Sequence, residues 1–254
     1  MNRFVAWFHR WGSPKHFYDM SGRWAPWMAA LFFLTFIPGL YYSLIGSPPD
    51  YQQGESARIM YIHVPAAWMS MFIYGVMALA GAITLIWKMK MADIVAQVSA
   101  PIGASFTFLA LVTGSLWGKP MWGAYWVWDA RLTSELILLF LFLGYIALTT
   151  SIDDKRTAAR AGAVLALVGV VNLPIIHYSV EWWSTLHQPS TVKVMGKSAI
   201  HLSMLIPLLL MSFAFKFYYA WVVLSSARAE VLDRDKNAKW AADVAQAQAG
   251  EMPS

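Results

Sequence analysis

Five large aromatic side chains, Trp117, Trp122, Tyr125, Trp126 and Trp128, crowd the stretch W-G-K-P-M-W-G-A-Y-W-V-W-D from Trp117 to Asp129. At about 200 Å² each, the rings can present roughly 1,000 Å² of flat apolar surface, more than a monomer usually leaves uncovered. Two histidines, His63 in Y-I-H-V-P and His187 in E-W-W-S-T-L-H-Q-P, lie in segments before and after it. Each is followed two positions later by proline, Pro65 and Pro189, which restricts the residue between. Neutral imidazole is an axial donor to iron, and two imidazoles entering from opposite sides saturate it without a thiolate. Indoles offer walls on which a planar macrocycle stacks, with an N–H left to donate. Arg131 and Arg58, with Lys119 as a weaker third, are the cations available for the macrocycle's carboxylates. A shielded charge-assisted bond of that kind contributes on the order of 1.5 to 3 kcal/mol. Asp129 has three open roles: orienting Arg131, accepting from a tryptophan N–H, or fixing a histidine tautomer.

Each piece has an ordinary reading beside the chemical one. Tryptophans at span ends form interfacial belts, a loop histidine is commonly just solvated, and an arginine at a span mouth commonly anchors lipid head groups. A belt, however, spreads its rings over both interfaces and does not need Gly118 and Gly123 among them. His177 and His201 sit near the ends of apolar segments, where they either ligate in place of the loop pair or satisfy a buried acceptor.

The elements that must position these groups are membrane spans. With 58% hydrophobic and 13% charged residues and a mean hydropathy of +0.48, the chain is too apolar for an ordinary soluble domain. Six apolar segments approach or exceed the ~20 residues that cross a bilayer as a helix. They run from Trp27 to Ile45, Val64 to Trp87, Val98 to Leu116, Leu132 to Thr149, Ala161 to Val180 and Ala199 to Leu224. The fifth carries Asn172, Pro174 and His177, the sixth His201, Pro207 and Lys216, and polar groups at such depth face protein or a cavity. The first segment is too long for a cleaved signal peptide and reads as a retained span. Residues 1–224 are expected to form one six-span domain and residues 225–254 a polar cytoplasmic tail. No fixed-period repeat and no low-complexity tract occurs. The chain has no cysteine, which excludes disulfides, thiolate ligands and thioether attachment of a cofactor.

Lysine and arginine distribution orients the spans. One set of connections and termini holds thirteen: Arg3, Arg10, Lys15, Arg23, Lys88, Lys90, Lys155, Arg156, Arg160, Arg228, Arg234, Lys236 and Lys239. The other holds five: Arg58, Lys119, Arg131, Lys193 and Lys197. Both termini are therefore expected in the cytoplasm, and residues 46–63, 117–131 and 181–198 outside, bringing His63, His187 and the tryptophan segment to one face. His9 and His16 fall on the cytoplasmic side. The net charge of +5 then reflects topology and contact with anionic membrane lipid; no nucleic-acid-binding motif is present, so no nucleic-acid partner is expected.

The run from Trp117 through Ser134 resembles the tryptophan-rich WWD signature of haem-handling proteins. Together with H-V-P-A-A-W at 63–68, T-L-H-Q-P at 185–189 and the six-span length, it is similar to the cytochrome c maturation protein C family (CcmC, haem exporter protein C) over nearly all of residues 20–225. Tyr125 departs from the tryptophan expected there and keeps an aromatic ring. The resemblance implies an all-α integral membrane protein, a bundle of six transmembrane helices with a periplasmic haem-binding loop region, in the bacterial inner membrane. It implies that haem b (iron protoporphyrin IX) is held between His63 and His187 on the tryptophan platform and passed to the periplasmic haem chaperone, cytochrome c maturation protein E (CcmE). The implied partners are an ATPase subunit (CcmA), a membrane subunit (CcmB) and a small single-span subunit (CcmD). No Walker motif occurs in this chain, so ATP hydrolysis is expected on a partner and this chain is expected to be a carrier, not an enzyme. Two alternatives remain: a cytochrome c haem lyase of the same superfamily, a class usually larger with a second histidine pair, and a permease subunit that never holds haem.

Overall fold

The structure, a computed structural model, describes residues 12–183, 185–187 and 200–250. Of the residues singled out above, Arg3, His9, Arg10, Pro189, Lys193 and Lys197 lie outside the described residues.

Six helical stretches are long and apolar enough to cross a membrane. The helices are α1 (Pro14–Tyr41), α2 (Met60–Trp87), α3 (Lys90–Trp122), α4 (Ala130–Thr150), α5 (Lys155–Gly169), α6 (Asn172–Trp182), α7 (Leu202–Arg234) and α8 (Lys239–Gly250). α1 ends in a widened turn, Tyr42–Gly46, and α2 is preceded by a tight turn, Glu55–Ile59. Most of these helices extend beyond the apolar runs, because hydropathy marks only the hydrocarbon-facing part while capping sets the ends. Pro14 opens α1 after extended Ser13, where its missing N–H has no intrahelical partner to lose. Asp154 caps α5 by accepting the Thr157 amide at 2.8 Å and its hydroxyl at 2.6 Å. Those bonds, the hydroxyl first, hold the exposed Asp154 carboxyl below the usual carboxylate range. Gly123 ends α3 at φ 77°, its amide reaching Lys119 O at 3.1 Å, a conformation that favours glycine.

The fifth span is the one expected element that divides. It crosses as α5 and α6 with a break at Val170–Val171. Pro174 lacks the N–H that would bond the Val170 carbonyl four residues back and its ring crowds that carbonyl, while the Leu173 amide takes it instead at 3.0 Å. α6 is then re-anchored on α4: Asn172 Nδ2 donates to Ser134 O at 2.9 Å and Arg131 Nη1 to Ile176 O at 2.8 Å.

α2 and α3 form the centre of the bundle, joined by the two residues Lys88 and Met89, and α4, α5 and α7 pack around them; α1 lies at the periphery against α7. The core is unusually rich in tyrosine, with Tyr61, Tyr74 and Tyr145 almost wholly buried among Ile73, Met77, Leu138 and Phe142. Trp24, Trp27, Leu34 and Ile37 of α1 remain exposed, as a lipid-facing surface requires. At the end of the bundle that holds the start of α1 and the end of α7, α7 continues past residue 224 to Arg234, and Ala227 and Val231 are buried with Tyr18, Met91 and Ile94. Trp240 of α8 packs on Tyr18 with ring centres 5.6 Å apart. A buried ionic group ties α3 to α7 at that end: Arg234 reaches Asp93 at 2.5 Å, Gln97 at 2.5 Å and Glu230 at 2.6 Å.

Candidate functional site

The opposite end of the bundle encloses a cavity of about 570 Å³ bounded by α2, α3, α4, α6, the start of α7 and residues 50–53, a size typical of small-molecule sites. His63, His187, Trp117, Trp122 and Arg131 all line it. Tertiary structure thus brings together residues separated by up to 124 positions.

His63 was expected in a loop and is instead in the first turns of α2, with Val64 and Pro65 helical after it. A preceding residue's aversion to helix is a bias, and the tight turn at Glu55–Ile59 nucleates the helix before Pro65 is reached. One face of α3 beds the imidazole. The Ala110 carbonyl lies 2.9 Å from Nδ1 and the Thr113 hydroxyl 3.2 Å; Gly114 supplies no side chain; and Trp117 stands edge-on, its ring centre 5.7 Å away at 74°. Positions 110, 113, 114 and 117 share that face because a helix repeats every 3.6 residues. A carbonyl can only accept, so Nδ1 carries the hydrogen in that contact and Nε2 keeps a free lone pair, the tautomer a metal ligand needs.

His187 approaches from the segment after α6, its backbone amide bonded to Thr185 Oγ1 at 3.0 Å. Its ring centre is 6.3 Å from that of His63, with the planes 36° apart, and 6.3 Å from Trp122. A metal bonded to one nitrogen of each ring at about 2.0 Å, with each ring centre ~1.1 Å beyond its nitrogen, requires a centre-to-centre distance of roughly 6 Å. The separation fits a single iron between them. Among the described residues no group of three or more His, Asp and Glu side chains is placed to hold a metal ion. Two imidazoles on their own match a metal that brings its remaining ligands with it, as in a macrocycle.

The aromatic stretch divides into two parts. Trp117 to Trp122, expected within the outer loop 117–131, is helical: α3 runs through Gly118 and Pro120 and stops only at Gly123. Gly118 is required there because a Cβ would meet the Trp122 ring at 2.9 Å and Ala124 O at 3.2 Å. Trp117 and Trp122 therefore project from the last turns of a rigid helix into the cavity. Tyr125, Trp126 and Trp128 do not line it. Trp126 and Trp128 pack edge to face at 5.4 Å, and Trp128 is 78% exposed. Lys119 donates to Gly123 O at 3.0 Å and lies over the Tyr125 ring, closing the end of α3.

The charged residues also separate. Arg131 faces the cavity while one guanidinium nitrogen holds Ile176 O. Arg58 lies outside it, paired with Glu55 and bonded to Ser43 O and Ser47 Oγ, both at 3.1 Å. Asp129 caps α4 through Oδ1, accepting the Leu132 amide at 2.8 Å. Its Oδ2 and the indole N–H of Trp126 are buried without a hydrogen-bond partner among the described residues. His177 and His201 both line the cavity, His201 also capping α7 by accepting the Ser203 amide at 3.3 Å.

Two cavity residues were not anticipated. Glu135 is buried at the inner wall, accepting the Ser70 hydroxyl at 2.7 Å. Its signal was present in the sequence, as the acidic residue interrupting the apolar run from Leu132 to Thr149. Gln53 accepts the Trp117 indole N–H at 2.9 Å, a contact across 64 positions that no local pattern announces.

Gly114 provides a direct check on this geometry. A Cβ there would sit 2.9 Å from His63 Cε1, and the ring cannot retreat without giving up the Ala110 carbonyl. Gly114→Ala is expected to weaken metal-ligand affinity at His63 by roughly 10- to 100-fold, the usual loss when a ligand's orienting partner goes, with helix content unchanged by circular dichroism. Unaltered affinity would show that the Ala110 contact does not orient the ring.

The family described as CcmC, Heme exporter protein C, matches residues 7–242. The chain is 54% identical over 222 residues to Heme exporter protein C of Bradyrhizobium diazoefficiens, covering 87% of this chain and 84% of the relative. It is 50% identical over 236 residues to Heme exporter protein C of Escherichia coli K12, covering 93% and 95%. A ccmC-like mitochondrial protein of Marchantia polymorpha, named for cytochrome c biosynthesis, is 44% identical over 204 residues, covering 80% and 86%.

Proposed function

Because the chain belongs to the haem exporter protein C family, we propose that it is the haem-holding member of a haem export system for cytochrome c biogenesis, a carrier and not a catalyst. The observation that carries this reading is the pair of imidazoles, His63 and His187, 6.3 Å apart in a cavity walled by Trp117 and Trp122. The cargo is haem b. His63 is the stationary ligand, because its helix and its Ala110 partner fix it. His187 is the releasable one, because residues 185–187 belong to no helix, and displacing a non-helical stretch costs less than moving a packed helix. Arg131, facing the cavity, is positioned to pair with a propionate. Arg58 is engaged with the 43–47 turn and serves a propionate only if that turn shifts.

The site faces the periplasm and both termini face the cytoplasm of the inner membrane, a reading that the thirteen-to-five distribution of basic residues supports. The exposed Tyr125 and Trp128, outside the cavity, suit docking of the haem chaperone CcmE while the cargo is held within. ATP hydrolysis belongs to a separate subunit, CcmA, with CcmB and CcmD completing the assembly.

The test is the visible and electron paramagnetic resonance spectrum of the purified chain supplied with haem. A six-coordinate, low-spin spectrum is expected, with Trp122→Ala lowering occupancy more than it lowers helix content. A preparation that stays colourless with haem in excess would overturn the proposal.

A further inference from the structure

We infer that Gln53 is a positioning residue of the haem site, a role that rests on the reading of His63 as an axial ligand: its side-chain carbonyl fixes the Trp117 indole against His63. An indole nitrogen can only donate, so the atom it meets at 2.9 Å must be the amide oxygen of Gln53. Three of the contacts on His63 come from groups that cannot swing away, namely the Ala110 carbonyl, the hydroxyl of Thr113 tied to its own helix at Leu109 O, and the bare backbone of Gly114. Trp117 is the exception. Its ring is half-buried, at the cavity wall, and free to turn about two side-chain torsions unless something holds its far edge.

Gln53 can hold that edge because its own backbone is built rigidly. Asp50 Oδ1 accepts the amides of Gln52 at 2.9 Å and Gln53 at 2.8 Å. Asp50 and Gly54 exchange both backbone hydrogen bonds, at 3.2 and 2.9 Å, with Gly54 at φ 57°. The Ser56 hydroxyl donates to Gln53 O at 2.6 Å. Every one of these bonds is local to residues 50–56, so the turn is preorganised, and Gln53 projects from it across the cavity mouth to α3. The turn thereby sets the angle of Trp117, and Trp117 closes the remaining side of the His63 ring that Ala110 and Thr113 hold.

Three variants read the role. Gln53→Leu keeps the volume and removes the acceptor; Gln53→Glu keeps an oxygen acceptor; Trp117→Phe removes the donor. Gln53→Leu is expected to release haem about 3- to 10-fold faster, the range for one neutral hydrogen bond, and to shift the low-spin resonance values. Gln53→Glu is expected to stay within about twofold of the parent. In Gln53→Leu/Trp117→Phe the effects are expected to be less than additive, as for two ends of one contact. Parent-like release and spectra in Gln53→Leu, or fully additive effects, would overturn the inference while leaving the haem site itself intact. In haem-free protein, the Trp117 indole proton, assigned by its loss in Trp117→Phe, is expected to exchange with solvent several-fold faster in Gln53→Leu; unchanged exchange overturns the role of Gln53 even if no variant binds haem.

Discussion

His63→Ala is expected to abolish the six-coordinate spectrum and lower haem affinity by more than His187→Ala does, although each removes one imidazole. Loss of an axial bond should cost no less than the 10- to 100-fold typical of losing a ligand's supporting partner, so about 100-fold is the expectation for His63→Ala. The asymmetry follows from mounting. His63 is pinned to α3 by the Ala110 carbonyl and flanked by Trp117, and its removal strips the cavity of its fixed donor. When His187 is removed, His63 still presents Nε2, and a five-coordinate haem is expected to remain, restored to six-coordinate by added imidazole. Titration of each purified variant with haem, followed at the Soret band, measures both quantities. Equal losses would mean that the helix-borne ligand has no advantage over the loop-borne one, and full retention in both would remove the bis-imidazole site altogether.

Arg234→Ala is expected to produce the largest loss of stability, and it acts at the far end of the molecule from the cavity. The guanidinium bonds Asp93, Gln97 and Glu230 together, and the side chains of Arg234 and Asp93 are only 10% and 6% exposed. Removing the arginine leaves a buried carboxylate unpaired, a change that costs about 3–5 kcal/mol. For a chain of this length that corresponds to a fall in melting temperature on the order of 10 °C. Deleting both charges with Asp93→Ala/Arg234→Ala is expected to be milder than Arg234→Ala alone, because the cost lies in the uncompensated charge and not in the missing contact. Thermal unfolding of detergent-solubilised protein followed by circular dichroism distinguishes these outcomes; a double variant less stable than the single one would show that the pair itself stabilises.

Much of the architecture was legible because a membrane makes hydropathy nearly sufficient. Backbone polar groups must be satisfied within each span, so apolar runs of adequate length become helices; five of the six expected segments lie within helical stretches long and apolar enough to cross a membrane, and the sixth, expected from Ala199, enters its helix at Leu202. Span ends were less legible. α3 continues through Gly118 and Pro120 to Trp122, and α2 already includes His63, because capping and turn geometry, not hydropathy, determine where a helix stops. The division of the fifth span at Val170–Val171 had its signal in Pro174, but only the re-anchoring of α6 on Ser134 and Arg131 shows where the second half goes.

Residue types by themselves determined that the chain has six segments apolar and long enough to span a membrane, that it can offer a metal no thiolate, and which histidines, indoles and arginines are at hand. Tertiary structure decided which of them meet. It brings His63 and His187 within 6.3 Å, places Trp117, Trp122 and Arg131 around the same cavity, and leaves Arg58, Tyr125, Trp126 and Trp128 outside it. It also adds Glu135 and Gln53, which composition did not single out. The reason is that span formation depends on the solvent each segment meets, which a local run of residues encodes, whereas convergence at the cavity depends on helix rotation and on contacts across 47 to 124 positions, which no local run contains.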